Sequence, residues 1–227
     1  MSKGRDALCD RLGHRFSDPT LLNDALTHRS ARGQHNERLE FLGDAVLALV
    51  IADALYRRHE TLPEGDLSRM RAALVCGPSL AAIARELEVG DQMILGGGEM
   101  KSGGYRRDST LGDAVEALIG AVFLDAGFDA ARDAVLRVFE SRLDSPPDPA
   151  SLKDPKTRLQ ELVQARGLPL PVYTVVDELG EPHRRIYRVS CVTAEPAVAR
   201  EGEAHSRRAA EQAAAERVLA ALEGGND

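Results

Sequence analysis

Tryptophan is absent from the 227 residues, and aromatic residues make up only 4% of them. Apolar burial must therefore come from Leu, Ala, Val and Ile, and the Ala-Leu-Glu-Arg richness of residues 38–143 favours helices. Cysteine is as scarce: Cys9, Cys76 and Cys191 lie far apart with no paired spacing. That pattern supports neither a disulfide framework nor a zinc site, and it fits a reducing compartment. No apolar run approaches the roughly 18 residues that span a bilayer, and the opening Met1 to Asp6 has no apolar segment behind it. Secretion and membrane insertion are not expected, and the expected location is the cytoplasm. A basic excess is missing too. The 29 Lys and Arg are outnumbered by 36 Asp and Glu, a formal charge of −7, whereas proteins that hold polyanions usually carry surplus cations. The imbalance is uneven: residues 151–227 hold 11 basic against 12 acidic residues, and the remainder 18 against 24.

What the sequence does carry, inside its most apolar stretch, is acid. His35-Asn36-Glu37-Arg38-Leu39-Glu40-Phe41-Leu42-Gly43-Asp44 runs directly into Ala45-Val46-Leu47-Ala48-Leu49-Val50-Ile51-Ala52. At 3.6 residues per turn, offsets of zero, three and seven place Glu37, Glu40 and Asp44 within roughly 60° of one another around a helix. A carboxylate removed from water must be compensated by a cation or else take up a proton. A second pair, Asp113 and Glu116, sits three residues apart ahead of Ala117-Leu118-Ile119. Two helices with acids on apolar faces can meet and pool them, and Gly43, Gly112 and Gly120 would let the backbones approach closely. Four or five hard oxygen ligands, with no His or Cys at ligand spacing, suit Mg²⁺ or Mn²⁺ rather than Zn²⁺. The plainer reading is of ordinary surface acids on amphipathic helices, the usual fate of a single Asp or Glu.

The rest of the first part reads as helices. A short helix is followed by a turn at Asp18-Pro19 and a helix carrying Leu21, Leu22, Ala25 and Leu26, expected to end near Gly33. His28 and His35 read as capping or hydrogen-bonding groups. Residues 61–66 turn into a helix over 67–75, another covers 78–87, and two more are expected over 111–125 and 129–143. Residues 96–110 are glycine-rich and carry Lys101, Arg106 and Arg107, which reads as a long flexible loop able to contact phosphate. It lacks the Walker spacing of a nucleotide-binding loop. Prolines at 146, 147 and 149 mark a linker, because they continue neither a helix nor a central strand.

Beyond the linker the period changes. Residues 156–166 read as helix, then three strands follow, and in the second Tyr187, Val189 and Cys191 alternate with Ile186, Arg188 and Ser190. An alanine-rich helix starting near Ser206 closes the chain. The expected fold class is thus multidomain: an all-α domain over 1–145, a linker over 146–152 and a small α+β domain of order α-β-β-β-α over 153–225.

The run from His35 to Leu47 resembles the signature of the bacterial ribonuclease III family, double-strand-specific RNA endonucleases, and the stretch around Asp113 and Glu116 resembles its second acidic motif. The order after residue 153 resembles the double-stranded-RNA-binding domain, which reads duplex shape through 2′-hydroxyls and phosphates. The resemblance implies an endoribonuclease that cuts both strands of duplex RNA in ribosomal, messenger and other precursors, leaving 5′-phosphate and 3′-hydroxyl ends. It implies metal ligation by Glu40, Asp44, Asp113 and Glu116, with Asp44 and Glu116 catalytic, Mg²⁺ as cofactor and Mn²⁺ able to substitute. Glu37 is expected in the outer shell and Glu64 as an accessory residue, although Glu64 also suits a plain helix N-terminus. The implied RNA contacts are Thr157, Gln160, His183, Arg207 and Arg208, joined by Lys101, Arg106 and Arg107. Glu211 departs from the many such domains that carry a further lysine there, which should weaken phosphate binding. A homodimer is implied, with Phe41 packing into the partner; as plain core filler Phe41 reads nearly as well. Two rival readings differ in a visible feature. A non-catalytic scaffold for double-stranded RNA predicts an eroded acid set, yet all five acids are present. A di-iron carboxylate bundle expects Glu-x-x-His pairs, and Glu37, Glu40 and Glu116 have no His three residues on.

Overall fold

The computed structural model describes residues 3–181, 183–195 and 197–223. Residues 224 and 225, which close the expected second domain, lie outside that range. The chain divides after Leu152 into two compact units, and no described helix is long and apolar enough to cross a membrane.

The first unit is helical: α1 (Lys3–Leu12), α2 (Pro19–Ala25), α3 (Glu37–Arg58), α4 (Glu64–Leu74), α5 (Gly77–Glu86), α6 (Gly97–Lys101), α7 (Asp108–Val138) and α8 (Glu140–Asp144). Its centre is the packing of α3 on α7, where Leu47, Ile51, Leu118 and Ile119 are fully buried. The backbones touch. A Cβ built on Gly43 would lie 1.7 Å from the Glu116 carbonyl oxygen, and one on Gly120 would lie 2.2 Å from that of Leu39. Gly112, grouped with them in the sequence, does not serve this crossing: it faces Leu80 of α5 at an ordinary 3.5 Å.

Two segments depart from the sequence expectation. The second helix ends at Ala25, well before Gly33, because the chain turns there to pair with a distant segment. The Ile94 amide donates to Leu26 O and the His28 amide to Ile94 O, each at 2.9 Å. Residues 96–110 are not a long irregular loop but hold α6, a 3₁₀ turn over Gly104–Arg106 and the start of α7. The two helices expected over 111–125 and 129–143 are present: α7 breaks into two at Gly127, whose φ of +82° is a left-handed value that glycine tolerates, and α8 continues the second.

A buried acid ties the turn between α1 and α2 to α7. The Asp125 side chain is 3% exposed. It accepts from the Ser17 and Asp18 amides at 2.9 Å each and lies 2.8 Å from His14 Nε2. Asp125→Ala strands all three groups, so denaturant unfolding is expected to show a loss on the order of 3 kcal/mol. A loss under about 1 kcal/mol would mean that water satisfies them.

The second unit comprises α9 (Pro155–Ala165), β1 (Val172–Leu179), β2 (Ile186–Thr193), β3 (Val198–Ala204) and α10 (Arg207–Glu223). The strands form one antiparallel sheet in the order β1-β2-β3, with a bulge between Val175 and Asp177. Asp154 caps α9 by accepting from the Lys156 amide, and Pro155 opens the helix. The core is small and made of Leu159, Val163, Cys191 and the inner face of α10. Gly202 lets α10 lie directly on β3, since a Cβ there would meet Ala214 N at 2.3 Å.

Candidate metal centre and nucleic-acid interface

The contact of Gly43 and Gly120 decides where the acids fall. Glu40 lies about one turn before Gly43 on α3, and Asp113 and Glu116 lie about two turns and one turn before Gly120 on α7. Carboxylate oxygens of Glu40, Asp113 and Glu116 consequently all lie within 4.8 Å of one another, each side chain partly buried. Burial first, then repulsion from Asp44, Glu40 and Asp113, pushes the Glu116 carboxyl up to about 7. Glu40 is raised by burial and then by Asp113 and Glu37, and Asp113 is raised by burial, opposed by His28 and Arg29. Asp44 is exposed at the margin of the trio, close enough to be the main charge acting on Glu116. Glu37 is also marginal and is turned towards Arg29 at 3.3 Å and His35 at 3.7 Å.

A set of carboxylates alone, half-buried and mutually repelling, matches the hard-oxygen donor set of a divalent cation. Without the cation the repulsion should be measurable. A raised acid pKa means that the folded state binds protons more tightly than the unfolded state, so stability is present at low pH and lost as pH rises. For Glu116 the window runs from the ordinary 4.5 to about 7. In a chelating buffer the melting temperature is expected to fall across that window, and a divalent metal should restore it above pH 7. A flat profile would contradict the burial of the cluster.

The cleft beside the trio has a polar wall that the sequence did not reveal. His28, Arg29 and Ser30 line it opposite Asp113, together with Arg107. His28 Nδ1 lies 2.8 Å from the Ser30 hydroxyl, which accepts from the Gly96 amide at 2.9 Å. Their signal was hidden because the wall is assembled by the pairing of residues 26–28 with Ile94.

Other expected residues are more dispersed. Arg107 reaches the acid cleft but is paired with Glu99 at 2.6 Å. Arg106 lies over the Tyr105 ring, 5.0 Å from its centroid, and lines a different pocket with Arg85 and Glu88. Lys101 is exposed at the end of α6. Glu64 is not brought to the trio. It accepts from the Ser68 hydroxyl at 2.6 Å and lines a groove with Leu49 and Tyr56, because α4 packs along the later half of α3. Phe41 is 83% exposed, so core filler is excluded within the chain.

In the second unit Thr157 and Gln160 of α9 share one surface pocket with Arg207 and Arg208 of α10. His183 is exposed in the turn between β1 and β2. Lys156, unremarked in the sequence, joins the same pocket from the position before Thr157, and Asp154 and Glu211 complete it.

A family model described as Ribonuclease-III-like matches residues 18–143, and one described as Double-stranded RNA binding motif matches residues 155–222. The chain is 57% identical to Ribonuclease 3 of Alkalilimnicola ehrlichii, over 98% of each chain. It is 54% identical to Ribonuclease 3 of Vibrio cholerae, over 99% of this chain and 100% of that one. Among solved structures, the nuclease domain of ribonuclease III from Campylobacter jejuni superposes with a TM-score of 0.59 at 45% identity, covering 62% of this chain and 97% of that one. A second structure of that domain, described for flexibility in a region involved in dimer formation, gives 0.58 at 46%, covering 60% and 96%. A helical unit with pooled acids, followed by an α-β-β-β-α module, is the organisation of an endonuclease for double-stranded RNA. The chain belongs to the ribonuclease III family.

Proposed function

We propose that this protein hydrolyses phosphodiester bonds on both strands of duplex RNA, in ribosomal, messenger and other precursors, at the acid cluster of its helical domain. Labour is divided between a nuclease domain over 1–145 and an RNA-binding domain over 153–225, joined by 146–152. The observation that carries this function is the convergence of Glu40, Asp113 and Glu116 within 4.8 Å, with Asp44 at their margin. These four residues would hold Mg²⁺, or Mn²⁺ in its place, and Glu37 would hold the outer shell. Such an ion, when bound, supplies an activated water and charge stabilisation for the leaving 3′ oxygen. Glu116 ionises near neutrality and must be deprotonated to serve as a ligand, while Arg29 and Arg107 border the cleft where a phosphodiester would enter. The products carry 5′-phosphate and 3′-hydroxyl ends.

One cluster cuts one strand, and a two-fold dimer presents two clusters to antiparallel strands. An apolar stripe on α3 supports this: Phe41, Leu49 and Tyr56 are 83%, 56% and 71% exposed at helical spacing. Glu64 borders that stripe, so an accessory role for it belongs to the dimer interface. Thr157, Gln160, His183, Arg207 and Arg208 are the proposed duplex contacts, with Lys101, Arg106 and Arg107 from the nuclease domain. Incubating the protein with long duplex RNA, with and without Mg²⁺, and mapping the product ends tests the proposal. Metal-dependent cuts on both strands with 5′-phosphates are expected; binding without cutting would favour a scaffold.

A further inference from the structure

The surface assigned to duplex RNA carries its own counter-charges, and the role inferred for them depends on that assignment. Lys156, Arg207 and Arg208 are the cations that α9 and α10 bring together beside Thr157 and Gln160. Glu211 engages two of them at once. The Lys156 ammonium donates to its Oε2, and Arg207 Nε, one turn back on α10, donates to its Oε1 at 3.0 Å. Lys156 is fixed further by the Tyr173 ring, whose centroid lies 4.6 Å from its Nζ. Asp154 faces the third cation, with Arg208 Nη2 at 3.9 Å, and is oriented by the Gln212 amide at 2.6 Å.

Exposed ion pairs yield readily to solvent and salt. This one is less exposed, because the Glu211 side chain is only 13% exposed and its two partners reach it from different helices. The Lys156 hydrogen bond, ahead of the opposing burial and with help from Arg207, holds its carboxyl below the ordinary glutamate range. It is therefore an anion throughout the range in which RNA is bound. Three cations and two carboxylates leave the patch with one net positive charge where a phosphate backbone would arrive.

We propose that Glu211 limits the affinity of the RNA-binding domain by competing with RNA phosphate for Lys156 and Arg207. Each phosphate that contacts these cations has to displace a carboxylate already seated on them. A single domain then releases a short duplex, whereas two domains of a dimer on one long duplex hold it by avidity. Glu211 thereby biases the enzyme toward long substrates and favours release of short products.

The test uses the full-length protein in a chelating buffer, so that nothing is cut, with a labelled duplex of about 16 base pairs, the span of one domain. Glu211→Gln keeps the shape and removes the charge. It is expected to tighten binding roughly three- to tenfold near physiological salt, and to steepen the dependence of affinity on salt by about one ion. Lys156→Gln should cost more affinity in the Glu211→Gln background than in the parent, a coupling that a purely structural role would not produce. Unchanged or weaker binding by Glu211→Gln, at an unchanged melting temperature, overturns the proposal. So does a variant that melts lower and binds less, since Glu211 would then be only a tie between α9 and α10. If the parent and every variant fail to bind duplex of any length, the assignment of this surface to RNA fails first.

Discussion

Glu116→Gln is expected to lower the rate of duplex cleavage by roughly a thousandfold or more while leaving duplex binding intact. Glu116 is the most buried member of the trio, and the one on which the other three acids converge. Its replacement would remove a proposed ligand from the middle of the set, where no neighbouring acid can swing in without vacating its own place. The amide is nearly isosteric, so the loss would be one of charge and ligation rather than of packing. A second signature separates the loss of a ligand from simple misfolding. Above pH 7 in chelator, Glu116 is an anion among anions, and neutralising it relieves the repulsion that opposes folding. The variant should therefore melt higher than the parent in chelator at pH 8, even though it is inactive. Single-turnover cleavage, duplex binding and thermal melts read the three quantities. Residual cleavage within tenfold of the parent would remove Glu116 from the centre.

Gly43→Ala carries the second large effect, and it acts on the fold and the site together. The added methyl would lie 1.7 Å from the Glu116 carbonyl oxygen, which is main chain and cannot rotate aside. The α3–α7 crossing must open, at a cost of about 3 kcal/mol or more in denaturant unfolding. Opening it also moves Glu40 away from Asp113 and Glu116. A displacement near 1 Å costs on the order of a hundredfold in rate, so cleavage should fall even at temperatures where the variant is fully folded. Gly112→Ala is the matched control: its methyl would meet Leu80 at ordinary contact distance, and both stability and cleavage should change far less. If Gly43→Ala unfolds at the same denaturant concentration as the parent, the backbones are not in contact.

These two variants also mark what a single sequence can disclose. The acids were legible because carboxylates inside Leu-Gly-Asp-Ala-Val runs violate the ordinary partition of charge to water, and a violation stands out without any knowledge of the partner helix. Glycines at 43, 112 and 120 were equally visible, yet nothing local distinguishes a glycine that meets a backbone from one that meets a leucine. That difference is set by which helix faces it. The strands of the second unit were legible for a related reason. In β2 the alternation that puts Val189 and Cys191 inside is a period of two, imposed by the pleat itself.

The misread segments are those whose order comes from far along the chain. Residues 96–110 have the composition of a loop, but the Gly96 amide donates to the Ser30 hydroxyl, Glu99 packs against Gly104, and Arg107 pairs with Glu99. Contacts of that kind leave no period to detect. The early end of α2 has the same origin, since Thr27 pairs with Ile94, and that pairing also raised the unforeseen wall of His28, Arg29 and Ser30 beside the acids. Glu64, named only by resemblance as an accessory residue, is set by the packing of α4 in the groove beside Leu49 and Tyr56.

The proposed cleavage at this site requires that the pooled acids hold a divalent cation, and that can be measured without RNA. Mn²⁺ bound near neutral pH is counted by its electron paramagnetic resonance signal in the parent and in a Glu40→Gln, Glu116→Gln double variant. The parent is expected to take up Mn²⁺ at a site that Mg²⁺ displaces, and the folded double variant to lose that uptake. Equal uptake by the two proteins would contradict the central claim.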